Sequence, residues 1–211
     1  MLVGVPHLRP LSYKLNRVAT NANHIHKIKT IFERDWEGNR KVVETYVDGA
    51  FMAITGNCVA TEKLDGTNVR LTVRNHMVVR VEKRRNPDKV QKAKGIEEPW
   101  YTEADPYAPG DKHILNAVEN TDLSEVPDGE WSGEAIGPDI QGNPLNLDSN
   151  RVYLFSVSKL VEPWNDVPVT YEELKEWLPK QKSKYGNDCG IEGIVWHCAD
   201  GRMFKIKKKD F

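Results

Sequence analysis

Lys63 closes a short apolar stretch (Val59, Ala60) and stands two residues before an Asp-Gly pair, in the run Thr61-Glu62-Lys63-Leu64-Asp65-Gly66-Thr67-Asn68. A lysine at a strand end, followed by a tight acidic turn, can be held still and partly dehydrated. A nucleophilic amine needs both conditions. Such an amine suits attack on the α-phosphorus of a nucleotide. An ordinary Asp-Gly surface turn would look the same in isolation, so the downstream residues decide.

Four further clusters bear on that choice. Arg80-Val81-Glu82-Lys83-Arg84-Arg85-Asn86 carries guanidinium forks suited to phosphate and ribose oxygens, and spacing does not separate Arg84 from Arg85. Gly133-Glu134-Ala135-Ile136-Gly137-Pro138, followed by Ile140-Gln141-Gly142-Asn143, sets a glutamate between glycines where it can approach a ribose; Glu130 is a competing acid. Phe155, in Tyr153-Leu154-Phe155-Ser156-Val157, is either core or a platform on which a base stacks, worth about 1–3 kcal/mol. In Ile191-Glu192-Gly193-Ile194-Val195-Trp196, a charge at Glu192 is costly unless it is paired or near a metal. Lys205 and Lys207 are two apart, so both project from one face of their strand. Two ammonium groups and a carboxylate then border one site.

Positioning these groups falls mainly to strands. Lys27–Arg34 and Arg40–Val47 alternate apolar and polar residues. Val69–Arg74 and Met77–Glu82 form a hairpin about Asn75-His76. Trp131–Ile136, Val152–Val157, Ile191–Trp196 and Met203–Lys207 also read as strands. A helix is expected over Asp111–Glu119 with Asp111 as its cap, and a second after the capping box Thr170-Tyr171-Glu172-Glu173, stopped by Pro179. The prolines and charges between Asn86 and Gly110 imply an irregular excursion, and residues 1–30 an irregular polar arm. The expected class is α+β: antiparallel sheets with flanking helices. Residues 1–50 form an arm and first strands packed on a core of residues 51–211, a single domain overall.

With 211 residues and a net charge of −1, the chain can bury one sizeable core and is no bulk polyanion binder, so any basic surface is local. No apolar run approaches membrane-spanning length. Cys58, Cys189 and Cys198 include no Cys-x-x-Cys, which argues against zinc and for three reduced thiols in a cytoplasmic protein.

Taken in order, Lys63-x-Asp65-Gly66, the glycine-flanked Glu134, the aromatic strand, Glu192-Gly193-Ile194-Val195 and Lys205-Ile206-Lys207 resemble the covalent nucleotidyltransferases: polynucleotide ligases and RNA capping enzymes. Asn68 and the 133–143 segment are similar to the RNA-ligase branch. Thr61–Thr67 together with Ile191–Gly201 looks like the vertebrate-type 5′-to-3′ RNA ligase family. The resemblance runs from about Cys58 to Lys207 and leaves the first 50 or so residues weakly covered. It implies a nucleotidyltransferase domain, here without a C-terminal OB-fold, using ATP with Mg²⁺ or Mn²⁺.

The implied reaction joins an RNA 5′-phosphate to an RNA 3′-hydroxyl. Lys63 would become a lysyl-AMP, and an RNA-adenylate would follow. A free lysine, with a pKa of about 10.4, is mostly protonated at neutral pH, and neighbouring cations favour its neutral form. Lys205 and Lys207 would offset phosphate charge. Glu192 would hold the metal through water, and Glu134 a ribose hydroxyl. Phe155 would stack on adenine, with Glu62 near the base edge. Arg84 or Arg85 would contact ribose or the 5′-phosphate. Asp65 and Asn68 would shape the turn and touch the acceptor end. RNA ends are the implied partners, with no membrane and no obligate protein partner. The rivals are a DNA nick ligase, an RNA guanylyltransferase and a non-catalytic RNA-binding relative.

Overall fold

The computed structural model describes residues 27–155 and 162–211. Most of the expected polar arm, up to residue 26, lies outside the described residues, as do Ser156 and Val157. The α+β expectation holds, and two sheets carry the molecule. The first has the order β1 (Lys29–Thr30), β11 (Met203–Lys207), β10 (Gly193–Cys198), β4 (Cys58–Lys63). Its pairs are antiparallel except β1 with β11. The second is wholly antiparallel, in the order β7 (Trp100–Glu103), β6 (Met77–Arg85), β5 (Thr67–Arg74), β8 (Gly129–Ile136), β9 (Arg151–Leu154). A separate pair, β2 (Phe32–Arg34) and β3 (Val42–Tyr46), packs on the first sheet's core.

Side-chain alternation gives each sheet one apolar face. On β10 and β11, Ile194, Trp196, Phe204 and Ile206 face a core closed by Leu174 of α4 (Tyr171–Trp177), by Leu178, and by Ala50 and Ile54 of α1 (Ala50–Thr55). On β5, Val69, Leu71 and Val73 face Ile114 and Ala117 of α3 (Asp111–Glu119). The opposite faces are polar and meet at the cleft described below. The chain crosses from the first sheet to the second through Leu64-Asp65-Gly66, immediately after Lys63. Leu64 is buried there against Ile136, Leu145 and Leu147. Gly66 is required by close approach, since a Cβ there would lie 2.2 Å from the Ala135 carbonyl oxygen. Gly193 is equally constrained: its Cβ would lie 2.0 Å from the Ile206 oxygen, so only glycine lets β10 and β11 close beside Lys207.

Several expectations need correction. The strand expected over Lys27–Arg34 is broken at Ile31, whose N–H still bonds Lys205 O before the chain enters β2. The irregular 86–110 excursion contains α2 (Lys89–Ala93), with a capping box between Asp88 and Gln91, and β7, which extends the second sheet. Asp111 is the first residue of α3 and not its cap: its carboxylate is buried against Lys83 and accepts the Asp105 N–H. The Thr170 hydroxyl donates to Glu173 (2.6 Å) and does not cap the backbone of α4. β9 ends at Leu154, one residue before Phe155. Glu192 sits just ahead of β10 and not within it. The expected three free thiols become one. Cys58 and Cys198 lie directly opposite on β4 and β10 and are joined as a disulfide, leaving Cys189. Their separation of 140 residues is what hid the pairing. Among the described residues no helix is long and apolar enough to cross a membrane.

Candidate active site

Register sets the floor of the cleft. Opposed residues of an antiparallel ladder share a face. Lys63, Gly193 and Lys207 form one row, and Thr61, Val195 and Lys205 the next. Glu192 stands one residue ahead of β10, outside its alternation, and meets the face that carries Lys205 and Lys207. Lys63 Nζ stands 2.6 Å from Glu192 Oε2, and Lys207 Nζ 3.8 Å from Oε1. The side chains of Lys63, Lys207 and Glu192 are 22%, 18% and 14% exposed, so the charge at Glu192 is compensated in a partly dehydrated setting. Burial, with Lys207, Lys63 and Lys27 nearby, pushes the Lys205 ammonium down to about 8. Burial also lowers Lys207, against the opposing pull of Asp210 and Glu192.

The second sheet supplies the facing wall. Asn68 and Glu134 are register partners on β5 and β8. Glu134 Oε1 accepts the Gly66 N–H at 3.2 Å, which ties it to the turn after Lys63. Burial raises the Glu134 carboxyl to about 7; Lys63, Arg84 and the Gly66 N–H pull the other way, and Glu192 adds to the rise. Phe155, just past β9, completes the lining. The cleft between the walls has a cavity volume of about 180 Å³ and opens to solvent at its mouth.

The structure therefore gathers Lys63, Glu192, Lys205, Lys207, Asn68, Arg84, Glu134 and Phe155 around one space. Strand alternation separates the two arginines that spacing left open: Arg84 lines the cleft, and Arg85 is exposed outside it. Asp65 lies in the linking turn and is not among the lining residues. Glu62 borders the cleft, but its carboxylate accepts from Ser183 Oγ (2.6 Å) and the Lys184 N–H (2.9 Å). That carboxylate is tied to the 183–184 loop and not to an open base edge. Burial raises its pKa despite those bonds.

Sequence reasoning missed Lys27, Thr61 and Met203. His197 lies in the cleft lining, its Nε2 3.1 Å from Thr61 Oγ1. The available signal was its position two residues after Val195, on the same face. Lys27 reaches the cleft only through the parallel pairing of β1 with β11, for which the sequence holds no cue. Tyr101, on the unforeseen β7, donates to Asn68 Oδ1 at 2.7 Å.

Residues 110–211 match the family model described as RNA ligase 1. RNA ligase 1 of Danio rerio is 32% identical over 81 residues, covering 37% of this chain and 23% of that protein. RNA ligase 1 of Pongo abelii is 32% identical over 104 residues, covering 47% and 29%. The matched stretches thus span under a third of these relatives. Among solved structures, a mutant of Naegleria gruberi RNA ligase with ATP and Mn is 17% identical at a TM-score of 0.49, covering 86% of this chain and 59% of that one. Naegleria gruberi RNA ligase with PPi is likewise 17% identical, at a TM-score of 0.48, covering 88% and 60%.

Proposed function

We infer that this chain, similar over its C-terminal half to RNA ligase 1, carries the nucleotidyl-transfer unit of an ATP-dependent RNA ligase. The observation that carries the inference is Lys63 held 2.6 Å from Glu192 at the floor of the cleft, beside Lys205 and Lys207. The amine of Lys63 attacks the α-phosphorus of ATP. A P–N bond forms, the bond to the β-phosphate bridging oxygen breaks, and pyrophosphate leaves. Glu192 is the group within reach of the proton that Lys63 must give up. Lys205 and Lys207 offset the charge that grows on the α-phosphate. An oxygen of an RNA 5′-phosphate then displaces Lys63 from the AMP phosphorus, giving an RNA-adenylate. Finally an RNA 3′-hydroxyl attacks the activated 5′-phosphate, and AMP leaves.

Around this axis, Glu134 takes a ribose hydroxyl, Phe155 stacks on adenine, and Arg84, not Arg85, meets ribose or phosphate. Asp65 shapes the turn behind Lys63, and Asn68 faces the acceptor end. Glu62 braces β4 through the 183–184 loop. Among the described residues no three His, Cys, Asp or Glu side chains form a metal cage. Glu192, the carboxylate beside Lys63 and Lys207, would hold Mg²⁺ or Mn²⁺ largely through water, since Mg²⁺ keeps several waters and needs only one or two carboxylates. Such an ion would neutralise phosphate charge. ATP and RNA ends, the substrates of this reading, are compatible with a cytoplasmic protein.

The test offers α-labelled ATP or GTP, Mg²⁺, and RNA or DNA strands with 5′-phosphate and 3′-hydroxyl ends. The expected outcome is ATP label on the protein and joined RNA in preference to DNA. Preferential GTP label would replace the reading with guanylyl transfer, and preferential DNA joining with a nick ligase. RNA binding without any label would leave a non-catalytic relative.

The raised Glu134 and lowered Lys205 set a pH profile. An ionised Glu134 holds a ribose hydroxyl in a stronger, charge-assisted bond than its protonated form, so kcat/KM for adduct formation is expected to rise through about pH 7. Lys205 must be protonated to offset phosphate charge, so it is expected to fall above about pH 8. The profile reports the free protein. Glu134→Gln should remove the rising limb, and Lys205→Arg, which stays charged, the falling one. The same groups bear on stability. A carboxyl with a raised folded pKa contributes stability at low pH that is lost as pH climbs to about 7. A lysine with a lowered folded pKa disfavours the fold where it must stay charged, and that penalty is relieved as pH rises from about 8 towards its ordinary 10.5.

A further inference from the structure

Tyr101 sits on β7, within the stretch that reads as an irregular excursion, and directly opposite Arg84. Its phenol bonds Asn68, and Asn68 Nδ2 donates to the Gly133 carbonyl oxygen at 3.2 Å. The two contacts determine each other. A carbonyl oxygen can only accept, so the Asn68 amide nitrogen must face Gly133. Oδ1 must then face Tyr101, and the phenol must donate its proton. The Ser132 hydroxyl bonds the same phenol. The ring is fixed from its other side: the Arg70 guanidinium lies 4.4 Å from its centroid, and Arg70 is gripped by buried Glu82 at 2.7 and 2.8 Å. Asn68 is thereby held in one amide orientation, with one N–H left for a ligand oxygen at the cleft.

We propose that Tyr101 is a positioning residue for RNA sealing: its hydroxyl locks the Asn68 amide so that an N–H, not the carbonyl, meets the activated 5′-phosphate. The proposal rests on the RNA-ligase reading above. Neither Tyr101 nor β7 belongs to the motifs by which the sequence resembles that family. The effect falls on the last step because Asn68, which borders the cleft from β5, is the residue that the RNA-ligase reading sets at the acceptor end.

The experiment compares wild type, Tyr101→Phe, Asn68→Ala and the double variant in two single-turnover assays: lysyl-AMP formation from ATP, and sealing of pre-adenylylated RNA without ATP. Phenylalanine keeps the ring beneath Arg70 and removes only the hydroxyl. Tyr101→Phe is expected to slow sealing about tenfold, and to slow it more than adduct formation. In the Asn68→Ala background it should add nothing further, because the residue it positions is gone. Effects that multiply in the double variant, or equal losses in both assays with a matching fall in Tm, would overturn the positioning role. A wild-type chain that forms no adduct, or does not seal, would overturn the RNA-ligase reading and this inference with it. A wild-type chain that does both, with multiplying variants, would overturn the inference alone.

Discussion

Lys63→Ala is expected to lower ATP-dependent RNA joining by about 10⁴-fold or more, the scale on which removal of a nucleophile acts. No neighbour can substitute. Lys205 and Lys207 lie on β11, with β10 between them and β4, and on the proposed reading their charge is needed opposite the same phosphate. Sealing of pre-adenylylated RNA should suffer far less, because that step uses no lysine nucleophile. The variant leaves Glu192, 14% exposed, with Lys207 at 3.8 Å as its remaining cation. A modest stability loss is therefore expected alongside the kinetic one, and thermal melting separates the two. Equal losses in ATP-dependent joining and in sealing would point to collapse of the site.

Glu192→Ala is the second large effect. It removes the partner of Lys63 and leaves the ammonium groups of Lys63, Lys205 and Lys207 along one face, with Asp210 and Glu134 as the carboxylates still acting on them. Adduct formation is expected to fall by about 10²–10⁴-fold, the range for losing a positioned proton acceptor. Glu192→Gln should resemble Glu192→Ala, since an amide keeps the shape but neither the charge nor the basicity. Normal adduct formation by Glu192→Ala across Mg²⁺ concentrations would remove both the proton-accepting and the metal-holding assignments.

The parts of this site that were legible in the sequence are those set by local periodicity. Alternation on β11 places Lys205 and Lys207 on one face without knowledge of any partner strand. The hairpin of β5 and β6 is marked by Asn75-His76, both at positive φ. The need of Glu192 for compensation follows from its apolar neighbours. Features set by distant contacts were not legible. Arg84 and Arg85 differ only in the face that β6 presents, and β5 and β7 decide that face. β7 itself reads as an interruption, because Pro99 and Pro106 bracket a strand four residues long. Asp111 has the spacing of a helix cap, yet Lys83, 28 residues earlier, takes its carboxylate. The six residues of α1 are too few for a helical period to register. Glu62 sits beside Lys63 in sequence, but alternation turns it away from Lys63, and a loop 121 residues later takes its carboxylate.

The most direct test of the central claim is peptide mass mapping of the purified protein after incubation with ATP and Mg²⁺. The predicted result is a single AMP, bound as a phosphoramidate on the peptide containing Lys63. An unmodified chain, or AMP on Lys205, Lys207 or any residue other than Lys63, would contradict it.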